Sequence, residues 1–281
     1  MSLSPLIVED IVRKALLEDL GYGIDVTTEA LVSGTKTGKA VMRARRGGVV
    51  AGLPCAMAAF RLLDAGLAVD AHKSDGDPLE EGDDILSVTG RAATILTAER
   101  TALNFVTLLS GVASETRRYV EAIHGTRAKI ICTRKTLPGL RALQKHAVRM
   151  GGGRNHRFGL SDGILIKDNH IAMAGGIAEA VALARRSAGH MVKIEIEVDT
   201  LAQLQEVLDT GGVDSVLLDN MTPDQMREAV TIVGGRMATE ASGTVRLDTV
   251  RAIAESGVDL ISVGALTHSV TALDIGLDID I

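Results

Sequence analysis

The sequence contains no tryptophan, and its aromatic share is only 2%. Ring stacking is thereby excluded as the main means of recognition, so charge and hydrogen bonding must dominate. Cysteine is almost as scarce. Cys55 and Cys132 stand far apart and in no metal-ligand spacing, which excludes a disulfide framework and fits the reduced thiols of a cytoplasmic protein. No run of about 18 or more uncharged apolar residues occurs, so no membrane-spanning helix is expected. The N-terminus matches neither a signal peptide nor an Arg-rich transit peptide. Positive charge is not in excess either: the net charge is −6, which argues against general nucleic-acid binding.

Hydrophobic residues at 46%, charged residues at 23% and a length of 281 describe an ordinary globular chain with room for one large α/β barrel or two domains. Two grammars follow one another. Over residues 4–93 helical and strand patterns mix: a helical rhythm from Pro5 to Leu17, a strand over Ala40–Ala51, a helix over Leu53–Leu67, and short strands at Val69–His72 and Asp84–Val88. This pattern predicts a small α+β sandwich. The acidic turn Gly76–Asp83 resembles a lipoyl-type hairpin but has no modifiable lysine at a hairpin tip. Gly34–Lys39 resembles a phosphate-binding loop only superficially, being one residue short with Ala40 in place of Ser/Thr. A long amphipathic helix, softened at Gly111, is expected from Thr94 to about His124.

Beyond His124 strand, loop and helix alternate. Strands are predicted at Ala128–Thr133, Gly163–Lys167, Val192–Val198, Ser215–Asn220, Arg236–Glu240 and Leu260–Gly264. Helices are predicted at Leu140–Met150, Ile177–Ser187, Leu201–Asp209, Pro223–Val233 and Leu247–Glu255. Such alternation means a parallel sheet, closed or nearly closed into a β/α barrel. The strand ends carry polar groups: Arg134-Lys135, Lys167-Asp168-Asn169, Glu197, Asp219-Asn220, Glu240-Ala241-Ser242-Gly243 and Gly264. In such barrels the site lies at the carboxyl ends of the strands.

Residues 134–170 hold eight Arg or Lys against two acids, a net +6 within a chain of −6, and so call for an anionic ligand. The glycine triplet Gly151–Gly153 lets backbone approach that ligand. Lys167 ends an apolar strand, where burial against the barrel wall is expected. Glu195, Glu197 and Asp199 alternate with Ile194, Ile196 and Val198, so period two turns the acids to one face, inward. Lys193 on that face offers a neutralising partner for Glu195. Glu197 is expected to pair with Asp219 at the end of the next strand, and two such carboxylates facing a basic lobe suit Mg²⁺ bridging to a polyphosphate.

The runs Thr133-Arg134-Lys135-Thr136 with Pro138-Gly139, Gly151-Gly152-Gly153 with Asn155-His156-Arg157, and Ile166-Lys167-Asp168-Asn169-His170 resemble the quinolinate phosphoribosyltransferases, type II phosphoribosyltransferases of NAD biosynthesis. Glu99-Arg100-Thr101 with Asn104, Glu195–Asp199, Leu218–Asn220, Glu240–Gly243 and Val263–Ser269 match in order, as do Glu18-Asp19, Asp25 and Thr27-Thr28. The resemblance implies an N-terminal α+β open sandwich followed by an irregular parallel β/α barrel: residues 1–111, with a tail 270–281 returning to them, and 112–269. It further implies a homodimer with shared sites. Arg134, His156 and Arg157 would hold quinolinate, and Arg100 would reach in from the partner subunit. Lys135 and Lys167 would stand beside the reacting groups and phosphoribosyl pyrophosphate. Glu197 and Asp219 would serve catalysis, Mg²⁺ and the ribose, and Ser242, Gly243, Gly264 and His268 the 5′-phosphate. Arg141, Lys145 and Arg149 are left as helix-surface charge. Two departures stand out: Thr244 where the family commonly repeats glycine, and Cys132 where aspartate is frequent, read as a wall residue. A molybdate-transport-associated paralogue of the same fold and a non-enzymatic polyanion-binding module are the alternatives. The Lys167-Asp168-Asn169-His170 run and the acids Glu197 and Asp219 favour the enzyme over the first, and the acids favour it over the second.

Overall fold

The computed structural model describes residues 3–32 and 34–280. Met1, Ser2, Ser33 and Ile281, which fall in the expected sandwich and tail, lie outside the described residues. The chain divides into two compact units. The first comprises Met1–Arg117, Thr136–Gly152 and Thr267–Ile281, the second Arg118–Lys135 and Gly153–Leu266.

In chain order the elements are α1 (Pro5–Leu20), α2 (Val26–Leu31), β1 (Thr37–Ala44), β2 (Gly48–Val49), α3 (Leu53–Leu63), β3 (Ala68–Ala71), β4 (Pro78–Leu79), β5 (Asp84–Arg91) and α4 (Ala92–Ala122). There follow β6 (Lys129–Ile131), α5 (Arg141–Met150), β7 (Gly163–Ile166), α6 (Asp168–Ala174), α7 (Ile177–Ser187), β8 (Lys193–Val198), α8 (Leu201–Thr210) and β9 (Ser215–Asp219). The chain closes with α9 (Pro223–Val233), β10 (Ala238–Ser242), α10 (Val250–Glu255), β11 (Leu260–Ser262), α11 (Ala265–His268) and β12 (Ile275–Asp280).

The first unit is an open sandwich on a sheet of order β12-β1-β5-β3, in which β1 runs antiparallel to both neighbours. The C-terminal tail therefore does return to this sheet, and Asp278 on β12 meets Arg43 at 3.1 Å and also Arg45. The expected strand over Ala40–Ala51 is two strands, because the chain turns at Arg45–Gly47 between β1 and β2. Since β1 already begins at Thr37, Gly34–Lys39 leads into a strand and forms no phosphate loop. Asp25 caps α2 by accepting from the Thr28 amide at 3.0 Å, which gives this pair a local structural task.

Gly111 does not soften α4, which is continuous through it. A Cβ there would lie 2.3 Å from the Thr271 carbonyl, so glycine lets the tail lie directly on the helix. Gly151 behaves alike: its Cβ would lie 2.3 Å from the Ala113 carbonyl. That residue of the glycine triplet serves close packing against α4 within the same unit. The expectation of surface charge on α5 also fails. Lys145 is fully buried, and Arg141 and Arg149 are half-buried. The helix is enclosed in the first unit, where His146 meets Asp75 at 2.7 Å and the Gln144 amide donates to the Thr267 carbonyl at 2.8 Å.

The second unit is a parallel sheet of order β6-β11-β10-β9-β8-β7. Arg154 adds a bridge on the outer edge of β6, through Arg154 N to Ile130 O at 2.8 Å and Cys132 N to Arg154 O at 3.1 Å. Every parallel strand expected from the sequence is present. Its turns are built locally. Thr200 and Thr222 open α8 and α9, each accepting from the amide three residues on while Gln203 and Gln225 reach back to the cap amide.

The amino ends of the strands are tied by one device used twice. Asp214, just before β9, accepts from the Ile194 amide of β8 at 2.9 Å and returns its own amide to Ile194 O at 2.8 Å. Asp259, just before β11, does the same with Thr239 of β10, at 2.9 and 3.0 Å. Burial opposes the charge on both. Lys193 and the Ile194 amide for Asp214, and the Thr239 amide and hydroxyl with Arg127 for Asp259, outweigh it and hold both carboxyls below the usual range. A depressed carboxyl stabilises the fold above its unfolded value and loses that contribution as pH falls through the folded one. Asp214→Asn and Asp259→Asn are therefore expected to cost about 1 kcal/mol each at neutral pH. Urea unfolding should show this difference shrinking below about pH 4; a pH-independent difference would contradict it.

Candidate active site

The polar residues expected at the barrel mouth fall at the carboxyl ends of the parallel strands of the second unit. Thr133, Arg134 and Lys135 follow β6, Lys167 follows β7, Glu197 is the penultimate residue of β8, Asp219 ends β9, Ser242 ends β10, and Gly264 follows β11. Lys167 is not buried against the wall. Its side chain is 46% exposed, because it stands outside the apolar strand as the cap of α6, its amide donating to His170 Nδ1 at 2.9 Å. Its Nζ meets Glu197 Oε2 at 2.5 Å, so the carboxylate of Glu197 is matched to Lys167. Asp219 Oδ2 accepts from Asn220 Nδ2 at 2.7 Å.

Lys193 does not neutralise Glu195. It points outward at the strand's entry and pairs with Asp214 at 2.7 Å. One pleat further in, Glu195 accepts from Ser215 Oγ at 3.1 Å and meets His156 Nε2 at 2.9 Å. Ile194, Ile196 and Val198 on the opposite face are buried, as period two requires. His156 follows the Arg154 bridge beside β6, whereas Glu195 lies on β8. Their contact spans the interior of the curled sheet, which confirms that the acids of β8 turn inward.

Beside His156, Arg157 is half-buried and donates from Nη1 to the Gly163 carbonyl at 2.8 Å. Asp162 closes this loop by accepting the amides of Phe158 and Gly159 at 2.5 and 3.1 Å. Burial and then the neighbouring charge of Arg134 push the Arg157 guanidinium pKa down, with Glu195 and Asp162 acting in the other direction. Two guanidiniums near enough to repel form a place that an anion relieves. Cys132 is buried with its thiol toward Asn155 Oδ1 at 3.3 Å, in keeping with a wall residue.

This arrangement can hold a small polyanion against inward basic groups, with two carboxylates on neighbouring strands. The quinolinate phosphoribosyl transferase C-terminal domain matches residues 112–278 and its N-terminal domain residues 25–110. The chain belongs to the quinolinate phosphoribosyl transferase family. It is 44% identical over 277 residues to a probable carboxylating nicotinate-nucleotide pyrophosphorylase of Bacillus subtilis, covering 99% of this chain and 95% of that one. It is 46% identical over 278 residues to the nicotinate-nucleotide pyrophosphorylase of Mycobacterium leprae, covering 96% of each. Its fold superposes on the nicotinate-nucleotide pyrophosphorylase structure from Francisella tularensis with a TM-score of 0.95 at 38% identity, covering 99% and 98% of the two chains.

In this quinolinate phosphoribosyl transferase chain, Arg100 and His268 belong to the first unit and both are exposed; His268 Nδ1 meets Ser269 Oγ at 2.6 Å. The residue that sequence reasoning left without a role is Glu240, buried on β10. Its signal was present, since Glu240 and Ser242 share a face of the strand by period two. His156, Glu195 and Glu240 are the described residues whose His, Cys, Asp or Glu donor atoms gather in a group of three within 4.8 Å.

The turn after β10 is tightly constrained. Gly243 has φ 89°, and a Cβ there would lie 2.1 Å from Asn220 Oδ1 and 2.8 Å from Asn220 N. The Asn220 amide donates to the Ser242 carbonyl at 3.0 Å, so this turn and the end of β9 fix one another. Thr244 has not abolished the left-handed conformation that a family glycine would take: its φ is 44°. A β-branched residue is strained there. Thr244→Gly is expected to raise the free energy of unfolding by about 1 kcal/mol, and Gly243→Ala to lower it by more. Urea titration of both checks this; a Thr244→Gly variant no more stable than the parent would show that the turn carries no strain.

Proposed function

We propose that this chain joins quinolinate to phosphoribosyl pyrophosphate, releasing nicotinate mononucleotide, pyrophosphate and CO₂ in de novo NAD biosynthesis. The observation that carries the reading is the pair of mutually repelling guanidiniums, Arg134 and Arg157, beside strand ends that bear Glu197 and Asp219. Quinolinate brings two carboxylates, and each charge-assisted hydrogen bond to them is worth roughly 1.5–3 kcal/mol.

Arg134 and Arg157 orient the pyridine dicarboxylate, with Arg100 contributed by a second copy of the chain and His156 at the edge of the loop. Lys135 and Lys167 provide positive charge for the departing pyrophosphate, which gains negative charge as the bond breaks. Lys167 must then exchange Glu197 for phosphate oxygens as substrate enters. This frees the Glu197 carboxylate to stabilise the positive charge that develops on the ribose carbon. Ser242, Gly243 and Gly264 receive the 5′-phosphate. Glu197 and Asp219, half-buried oxygen donors at the ends of neighbouring strands, fit a Mg²⁺ ion and would hold it. When bound, it would neutralise charge on the pyrophosphate. After ribosylation the C–CO₂ bond breaks, the adjacent pyridinium nitrogen stabilises the electron pair left on the ring carbon, and that carbon takes a proton from solvent.

The working form is a homodimer with shared sites. Leu6, Leu17, Ile24, Val26 and Leu31 are large apolar side chains exposed on the first unit, and a second copy would cover them. No helix among the described residues is long and apolar enough to cross a membrane. Together with the buried free thiols of Cys55 and Cys132, this supports a cytoplasmic location.

Incubation with quinolinate, phosphoribosyl pyrophosphate and Mg²⁺ should release CO₂ and nicotinate mononucleotide in equal amounts; release of neither would refute the reading. Arg134→Lys should lose most activity although it keeps the charge, because the two-pronged guanidinium contact is lost. Near-normal turnover would remove Arg134 from the site. Arg100→Ala and Lys135→Ala, each inactive alone, should regain activity when mixed as dimers, and absence of complementation would argue against shared sites.

A further inference from the structure

We propose that Glu240 is a positioning residue held as a neutral acid, and that with the Glu195 carboxylate it locks the His156 imidazole and the attached Arg157 beneath the ligand. The link to the ligand rests on the quinolinate reading above; the neutral Glu240 does not.

The three side chains come from separate parts of the second unit: Glu195 from β8, Glu240 from β10, and His156 from the loop after the Arg154 bridge. His156 Nδ1 accepts from the Arg157 amide at 2.6 Å, which puts the ring's proton on Nε2. That proton points at Glu195 Oε2, 2.9 Å away, with Glu240 Oε2 at 3.8 Å. Both ring nitrogens are thus engaged by the protein. The imidazole holds the loop, and because the Arg157 amide is one of its partners, the ring's orientation sets the direction of the Arg157 side chain.

Counting donors gives the proton on Glu240. Glu195 is provided for as an anion: Ser215 Oγ donates to one oxygen and His156 to the other. Glu240 is different. Its side chain is 2% exposed, and Oε1 is buried without a hydrogen-bond partner. A second full charge there would be desolvated, only partly matched by the Ser262 hydroxyl, and set against Glu195. One proton on Glu240 removes all three costs and supplies a donor toward Glu195. Burial, followed by the charge of Glu195, drives the Glu240 carboxyl well above its usual range, while the Ser262 hydroxyl pulls it back. The register partner on β9 is the apolar Leu217, so no cation offsets this from that side. On the loop itself, Arg157 interacts with Glu195 and is repelled by Arg134.

The same donor set could hold a divalent cation, but the protonated Nε2 and the two nearby guanidiniums favour a proton. The consequence for stability has a definite sign. A carboxyl raised in the folded state binds its proton where the unfolded chain has released it. Its contribution is complete below the unfolded value and is lost as pH rises through the folded one.

The test is made on the intact enzyme. At neutral pH, infrared spectra should show the carbonyl band of a protonated carboxylic acid that Glu240→Gln abolishes. Nitrogen NMR should find the His156 ring as the neutral Nε2–H tautomer. Glu240→Ala should raise the quinolinate KM by at least about tenfold and leave the KM for phosphoribosyl pyrophosphate within about threefold, and Glu240→Gln should restore most of the loss. Glu240→Gln should also flatten the fall in stability with rising pH. A band that persists in Glu240→Gln, an Nδ1–H tautomer, failure of Glu240→Gln to rescue, or a stoichiometric divalent cation lost from Glu240→Gln would overturn the proposal. If Glu240→Ala does not fold, the infrared band and the tautomer decide. If the enzyme turns over no quinolinate, those two readouts still test the pair while the functional reading alone falls.

Discussion

Charge turned into the interior of a parallel β/α unit has to be matched, and the second unit depends on how that matching is done. Arg134 and Arg157 repel one another, Lys167 is balanced by Glu197, and Glu195 by His156 and Ser215. These pairs lie at different depths along the strands. Toward the middle, Glu195 and Glu240 are buried, and the proposed proton on Glu240 would keep their cost down. Toward the ends, Lys167 is the more exposed partner of its pair with Glu197.

The amino ends of the strands follow a different logic. Asp214 and Asp259 lie just ahead of their strands and each ties a neighbouring strand through a paired amide and carbonyl. Acids thus serve as structural clamps at one end of the sheet, whereas the proposed chemistry falls to acids at the other, in accord with the division of labour in β/α barrels. The turn at Gly243 joins the two roles. Its lack of a Cβ lets Asn220 close against it, and this fixes the end of β9 that bears Asp219.

Much of this could be read from the residues. Short apolar runs bounded by polar ends located all six parallel strands, and the alternation in Lys193–Val198 correctly turned its acids inward. The motif order carried the family. What stayed hidden depended on how the chain curls. Glu240 looks like any polar residue of a strand until β10 and β8 bring it beside Glu195 across the interior. Lys145 reads as helix-surface charge because the enclosure of α5 involves segments distant in sequence, such as Asp75 and Thr267. Gly111 and Gly151 read as flexible or ligand-facing, whereas each lets another segment lie against α4. Local spacing does not encode such approaches. Thr244 stands between these cases, since the sequence marked the position and only the backbone showed that the left-handed conformation persists.

Two guanidiniums that repel one another, Arg134 and Arg157, suit a ligand with two carboxylates. Calorimetric binding of quinolinate, compared with pyridines bearing a single carboxylate, tests this most directly. The account predicts that quinolinate binds at least about tenfold more tightly, one charge-assisted contact's worth. Equal affinity for the mono- and dicarboxylates would contradict it.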